Sequence, residues 1–129
     1  MFFKRAKTEI QMSRETALQC VPLKNKAVNV TQRGSDYLRL SYPLLLKPWM
    51  DQLLRRLNPT GSYPPVRHLE LDALGMQCWD MLDGNRSVAQ IVDLFSRQRR
   101  VHPQEAEVAV TRFLRELGRR GIIGLKPER

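Results

Sequence analysis

The sequence predicts an α+β domain of winged-helix-like type, with a small three-stranded antiparallel sheet packed on three helices. Three observations carry the prediction. Apolar residues recur at three- and four-residue steps through three segments between Leu69 and Leu125. Each segment is bounded by residues that start or stop helices. Short alternating runs bracketed by turn residues precede them, and these read as strands.

Residues 1–26 form a basic, weakly patterned N-terminal extension. Ser13 can cap a short helix through Cys20, and Pro22 stops it. The first ten or so residues are expected to be mobile. The main domain is expected over 27–125, beginning with a hairpin over 27–43. In it Val28-Asn29-Val30-Thr31 alternates, Arg33-Gly34-Ser35-Asp36 turns, and Tyr37-Leu38-Arg39-Leu40-Ser41-Tyr42 alternates again. Pro43 disfavours further pairing. Residues 44–66 read as an insertion holding an extra amphipathic helix. Trp49, Met50, Leu53, Leu54 and Leu57 share one of its faces, and Lys47, Arg55 and Arg56 occupy the rest. A basic amphipathic helix can lie on a membrane surface. It can equally dock on its own domain or on a second copy of the chain. Asn58 to Pro65 is a linker by its Pro and Gly content.

Residues 67–125 then supply a strand and three helices. Arg67 to Leu71 alternates and runs straight into the first helix, which Asp72 can cap. Leu71, Leu74, Cys78, Met81 and Leu82 form its apolar stripe, and Asp83-Gly84-Asn85 ends it. Ser87 with Gln90 makes a capping box for the second helix, whose stripe is Val88, Ile91, Val92 and Phe95. Pro103 suits the first position of the third helix, where its missing amide proton costs nothing. Ala106, Val110, Phe113, Leu114 and Leu117 are its stripe. Gly121 breaks it before the β-prone Ile122-Ile123-Gly124-Leu125.

The chain has 129 residues and a formal net charge of +9. The charge is uneven. Residues 1–26 hold six Lys/Arg against two acids, 68–98 hold two against five, and 99–129 hold eight against four. A basic surface favours anionic partners, whether nucleic acid, acidic peptide or lipid. No apolar run approaches the roughly 20 residues of a membrane-spanning helix, and residues 1–5 do not form a secretory segment, so a cytoplasmic location is expected. Cys20 and Cys78 are too few for a disulfide framework, and Cys78 lies on an apolar stripe, where it reads as a small buried hydrophobe.

Enzyme motifs are absent: there is no phosphate-binding glycine loop, GxSxG or HExxH. His68 and His102 lack partners at ligand spacing and read as surface residues, His102 at a helix N-cap. Asp80 and Asp83 lie a turn apart, but Asp83 belongs to a helix stop, so no catalytic acid–base pair is implied. No metal or cofactor is expected. The pattern that core packing does not explain is Val108, Arg112, Arg115 and Arg119, along one side of the third helix. Such a run can be a solvated face. It can also enter a DNA groove, as in a winged-helix regulator, or form one wall of a peptide groove beside a strand edge.

Taken together, Leu71-Asp72, Gly75, Trp79, Leu82-Asp83-Gly84, Ser87-Val88, Ile91-Val92, Phe113-Leu114, Leu117 and Gly121-Ile122-Ile123 resemble the PqqD family, also called the RiPP recognition element. RiPPs are ribosomally made, post-translationally modified peptides. The resemblance covers residues 27 to 125 and is densest from Leu69. It implies a non-catalytic module that holds the leader segment of a precursor peptide and presents it to a modifying enzyme, often a radical S-adenosylmethionine protein. It implies that the leader adds as a strand to the edge formed by His68, Leu69, Glu70 and Leu71. The facing wall would be Val108, Arg112 and Arg115. Gly75, Trp79, Asp83 and Gly84 would be structural. The basic extension and the 44–66 insertion depart from compact members of the family, and a role in homodimerisation or in docking another partner is open to them. The alternative from a different functional class remains the winged-helix DNA-binding protein using the basic third helix.

Overall fold

A computed structural model describes residues 13–44, 48–57 and 66–127. The expected mobility of the first ten residues and the linker over 58–65 lie outside the described residues.

Helix α1 (Arg14–Gln19) starts where Ser13 Oγ accepts the Thr16 amide. Strand β1 (Val21–Lys24) follows directly, so Pro22 does not merely stop the helix: it is fully buried within a strand. Strands β2 (Asn29–Arg33) and β3 (Leu38–Pro43) form the expected hairpin. Helix α2 (Pro48–Leu57) occupies the insertion, and β4 (Val66–Leu71) follows it. Helices α3 (Ala73–Asp80), α4 (Val88–Arg99) and α5 (Pro103–Arg119) are the three main helices, and β5 (Ile123–Lys126) closes the described chain.

The caps read from the sequence are in place. Asp72 Oδ1 accepts the Gly75 amide at 2.8 Å. Ser87 and Gln90 exchange both capping-box bonds, at 3.2 and 2.8 Å. Gly84 ends the turn after α3 with φ of +82°, a conformation that costs other residues about 1–2 kcal/mol. Asp83 Oδ1 accepts the amides of Asn85 and Arg86 there, and these bonds lower its pKa from the ordinary carboxylate range. His102 Nδ1 caps α5 by accepting the Gln104 amide, and Asp80 is held by Arg33 in a two-bond ion pair.

One sheet has the order β2-β3-β4, antiparallel throughout, and its inner face places Leu38, Leu40, Tyr42 and Leu71 in the core. The helices complete that core with Cys78, Trp79, Val88, Ile91, Phe95, Val110, Leu114 and Leu117. Leu74 departs from expectation. It lies outside the core, because the buried face of α3 is Gly75, Cys78 and Trp79.

A second sheet pairs β1 with β5. The strand after the third helix therefore returns to the N-terminal segment and does not open a wing hairpin, so the winged-helix likeness is loose. Residues 13–26 are bound into the fold. The Cys20 carbonyl accepts the Val88 amide at 2.8 Å, and Asn25 bonds the Gly121 and Ile122 carbonyls through its side chain and backbone. Arg14 grips Glu107 of α5 through two bonds, 2.6 and 2.7 Å long. Local sequence pattern could not reveal this strap, because its partners lie about 70 to 100 residues downstream in the chain.

Both thiols are buried, and desolvation raises their pKa values, that of Cys78 to about 12. A thiol reagent at pH 8 should react with neither cysteine promptly in the native protein and with both in denaturant. Fast native labelling of Cys78 would mean that α3 is not docked.

Candidate peptide-binding edge

The three-stranded sheet has two outer strands, and they differ. β2 carries a bulge between Val30 and Gln32, and Thr31 Oγ1 bonds back to the Arg39 carbonyl at 3.2 Å. Bulges twist an edge away from incoming strands. β4 has no such defence. It pairs with β3 over all six residues, from Val66 opposite Pro43 to Leu71 opposite Leu38, without a register shift. Its other side is unpaired among the described residues. An unpaired, regular edge presents backbone N–H and C=O groups to any extended chain that arrives.

Side chains alternate along β4 as the pleat requires. Leu71 is buried and Leu69 half-buried on the core side, while His68 and Glu70 are exposed on the other face. Across from the strand's C-terminal end stands α5. Its Ala106, Val110, Leu114 and Leu117 face the core, leaving Val108 55% exposed with Arg112 and Arg115 also in solvent. Neither arginine has an ion-pair or hydrogen-bond partner among the described residues, so both charges are available to a ligand. Arg119 differs, because Glu116 lies 3.9 Å away from its guanidinium.

Gly75 brings the strand end and the helix together. A Cβ built there would stand 3.1 Å from Leu71 Cβ and 3.4 Å from Phe113 Cε1. A side chain there would press on Leu71 and meet Phe113, so the glycine lets α3 lie close to both, which gives it a packing reason.

The sequence-predicted residues divide between two shallow depressions. Glu70 and Leu71 line one of about 450 Å³ with Tyr37 and Asp72. Val108 and Arg112 line the other, of about 440 Å³, with Gln104, Glu105 and Ala109. His68, Leu69 and Arg115 line neither, though the first two stand on the same strand edge and Arg115 on the same helix. Tyr37, Phe113, Gln104, Glu105 and Ala109 belong to this region and were not read from the sequence as site residues. In the sequence Tyr37 falls within a hairpin alternation and Phe113 within a core stripe. The sequence marks Tyr37 and Phe113 only as aromatics in ordinary patterns, and Gln104, Glu105 and Ala109 not at all.

Among the described residues no three His, Cys, Asp or Glu side chains gather as a metal site requires. No helix there is long and apolar enough to cross a membrane.

Comparison with known proteins bears on the same region. A family model described as coenzyme PQQ synthesis protein D (PqqD) matches residues 57–123, which contain β4 and all three main helices. No curated protein sequence matches the chain. A solved structure, TbiB1 in complex with the TbiA(beta) leader peptide, shares the fold. Its TM-score is 0.52 at 23% identity, over 78% of this chain and 92% of that one.

Proposed function

This chain belongs to the PqqD family, and from that premise we propose that it is a non-catalytic binding module for the leader segment of a ribosomally made precursor peptide. The observation that carries the reading is the regular β4 edge beside a helix with two exposed arginines, the edge unpaired and the arginines uncommitted among the described residues. The leader docks as an added strand on Val66–Leu71. Its backbone is satisfied by the edge, its apolar side chains rest against Leu69, Leu71, Tyr37 and Val108, and Arg112 and Arg115 attract its acidic side chains. His68 and Glu70 flank it on the far face. A modifying enzyme then acts on the presented peptide, and the family resemblance implies a radical S-adenosylmethionine protein. That the solved neighbour holds a leader peptide supports the reading. The DNA-binding alternative draws no support from the family or from the fold neighbour.

The test is calorimetric titration of the full chain with synthetic peptides covering the N-terminal part of a short reading frame encoded beside this gene. One-to-one saturable binding is expected, with amide shifts in nuclear magnetic resonance concentrated on Arg67 to Leu71. Binding that leaves those amides unmoved would displace the site from β4.

A further inference from the structure

Helix α2 is not used by the peptide reading. Of the docking options that its sequence left open, docking on its own domain is not what Trp49, Leu53 and Leu57 do: among the described residues nothing covers these three, while Met50 is half-buried. Trp49 is 60%, Leu53 46% and Leu57 71% exposed. These positions are four apart, so at about 100° per residue they form one continuous ridge along the helix. Arg55 lies on the opposite side, Gln52 between, and Arg56 at the margin of the ridge next to Trp49.

The surroundings are cationic. α2 lies between β3 and β4, leaving from the sheet end where Pro43 is opposite Val66. At that end Arg67 is the register partner of Tyr42, and Arg120 Nη1 donates to Tyr42 Oη at 2.9 Å. The C-terminus of α5 therefore stands there too. Among the described residues, Arg55, Arg56, Arg67, Arg119 and Arg120 gather at this end, with Glu116 bridging Arg119 and Arg120.

We propose that helix α2 is an interfacial anchor that seats Trp49, Leu53 and Leu57 in an anionic lipid surface, with the arginines of this end over the headgroups. A ridge of three apolar side chains flanked by arginine, with low overall hydrophobicity, is what an in-plane helix needs. Trp suits the headgroup boundary, and arginine stems can reach back to it. A second copy fits less well. Ten residues make a helix about 15 Å long, and its ridge offers on the order of 350 Å², less than half of the roughly 800 Å² per partner in a stable interface. Lipid needs no matched surface.

The test is flotation of the full chain with vesicles of phosphatidylcholine alone or with about one-third phosphatidylglycerol. Binding to the anionic vesicles is expected and binding to the neutral ones is not. Leu53→Ser with Leu57→Ser should lower partitioning about tenfold or more, because apolar insertion is lost. Both positions are exposed, so circular dichroism and thermal melting of that variant should match the parent, and its leader affinity should be unchanged. Failure here therefore leaves the peptide reading standing. Three results overturn the anchor. One is no binding to anionic vesicles at low salt. Another is equal binding by the serine variant, which is mere adsorption of a basic protein. The third is a dimer in light scattering that the serine variant abolishes, which assigns the ridge to a second copy.

Discussion

Replacing Trp79 by alanine is expected to cost roughly 3–5 kcal/mol, the usual range for removing a large buried aromatic. The indole is only 4% exposed, and α3 brings it into the core shared by the sheet and the other helices. A second contribution comes from the strap. Lys24 Nζ lies 4.3 Å from the ring centroid, so β1 is pinned to α3 through a cation resting on the indole face. Such a contact adds about 0.5–1 kcal/mol when partly exposed. Burial lowers the Lys24 pKa, and the nearby Asp80 carboxylate opposes that shift. Small domains are stable by only about 5–15 kcal/mol in total, so the loss takes a large share of what holds the fold. Denaturant unfolding should show a midpoint moved far down, with a melting temperature lower by on the order of 10–20 °C. Lys24→Met should reproduce only the small part. An alanine variant with an unchanged midpoint would mean that the indole is not the anchor of α3.

The second large effect concerns binding. Arg112→Glu combined with Arg115→Glu should weaken leader affinity by about 10- to 100-fold at low salt, and by less as ionic strength rises. Both guanidinium groups are solvent-exposed and bonded to nothing among the described residues, so reversal removes attraction without disturbing an internal pair. The same exposure keeps the stability change within about 0.5 kcal/mol, which separates lost binding from lost folding. Glu107, one residue before Val108, makes the contrast. Its carboxylate is hydrogen-bonded by Arg14, which lowers its pKa, so changing it would loosen the N-terminal strap and confuse the measurement. Calorimetry at two salt concentrations is the readout. Unaltered affinity at low salt would take α5 out of the site.

What could be read from the sequence alone was whatever is settled within one or two helical turns. Asp72, Ser87 with Gln90, His102 with Pro103, Gly84 and Gly121 mark helix ends, because a cap bonds backbone two or three residues away. The stripes of α4 and α5 needed only periodicity, and so did the strand identity of Val66–Leu71. The tertiary structure decided the rest. It turned the supposed extension into a strap by pairing Val21–Lys24 with Ile123–Lys126, a closure across nearly the whole domain that leaves no local trace. It exposed Leu74 and the ridge of α2, although both carry the same apolar periodicity as core positions. And among the described residues it left β4 unpaired on one side while bulging β2 at the other edge, since a strand's place in a sheet depends on which neighbours arrive, and its own residues do not record that.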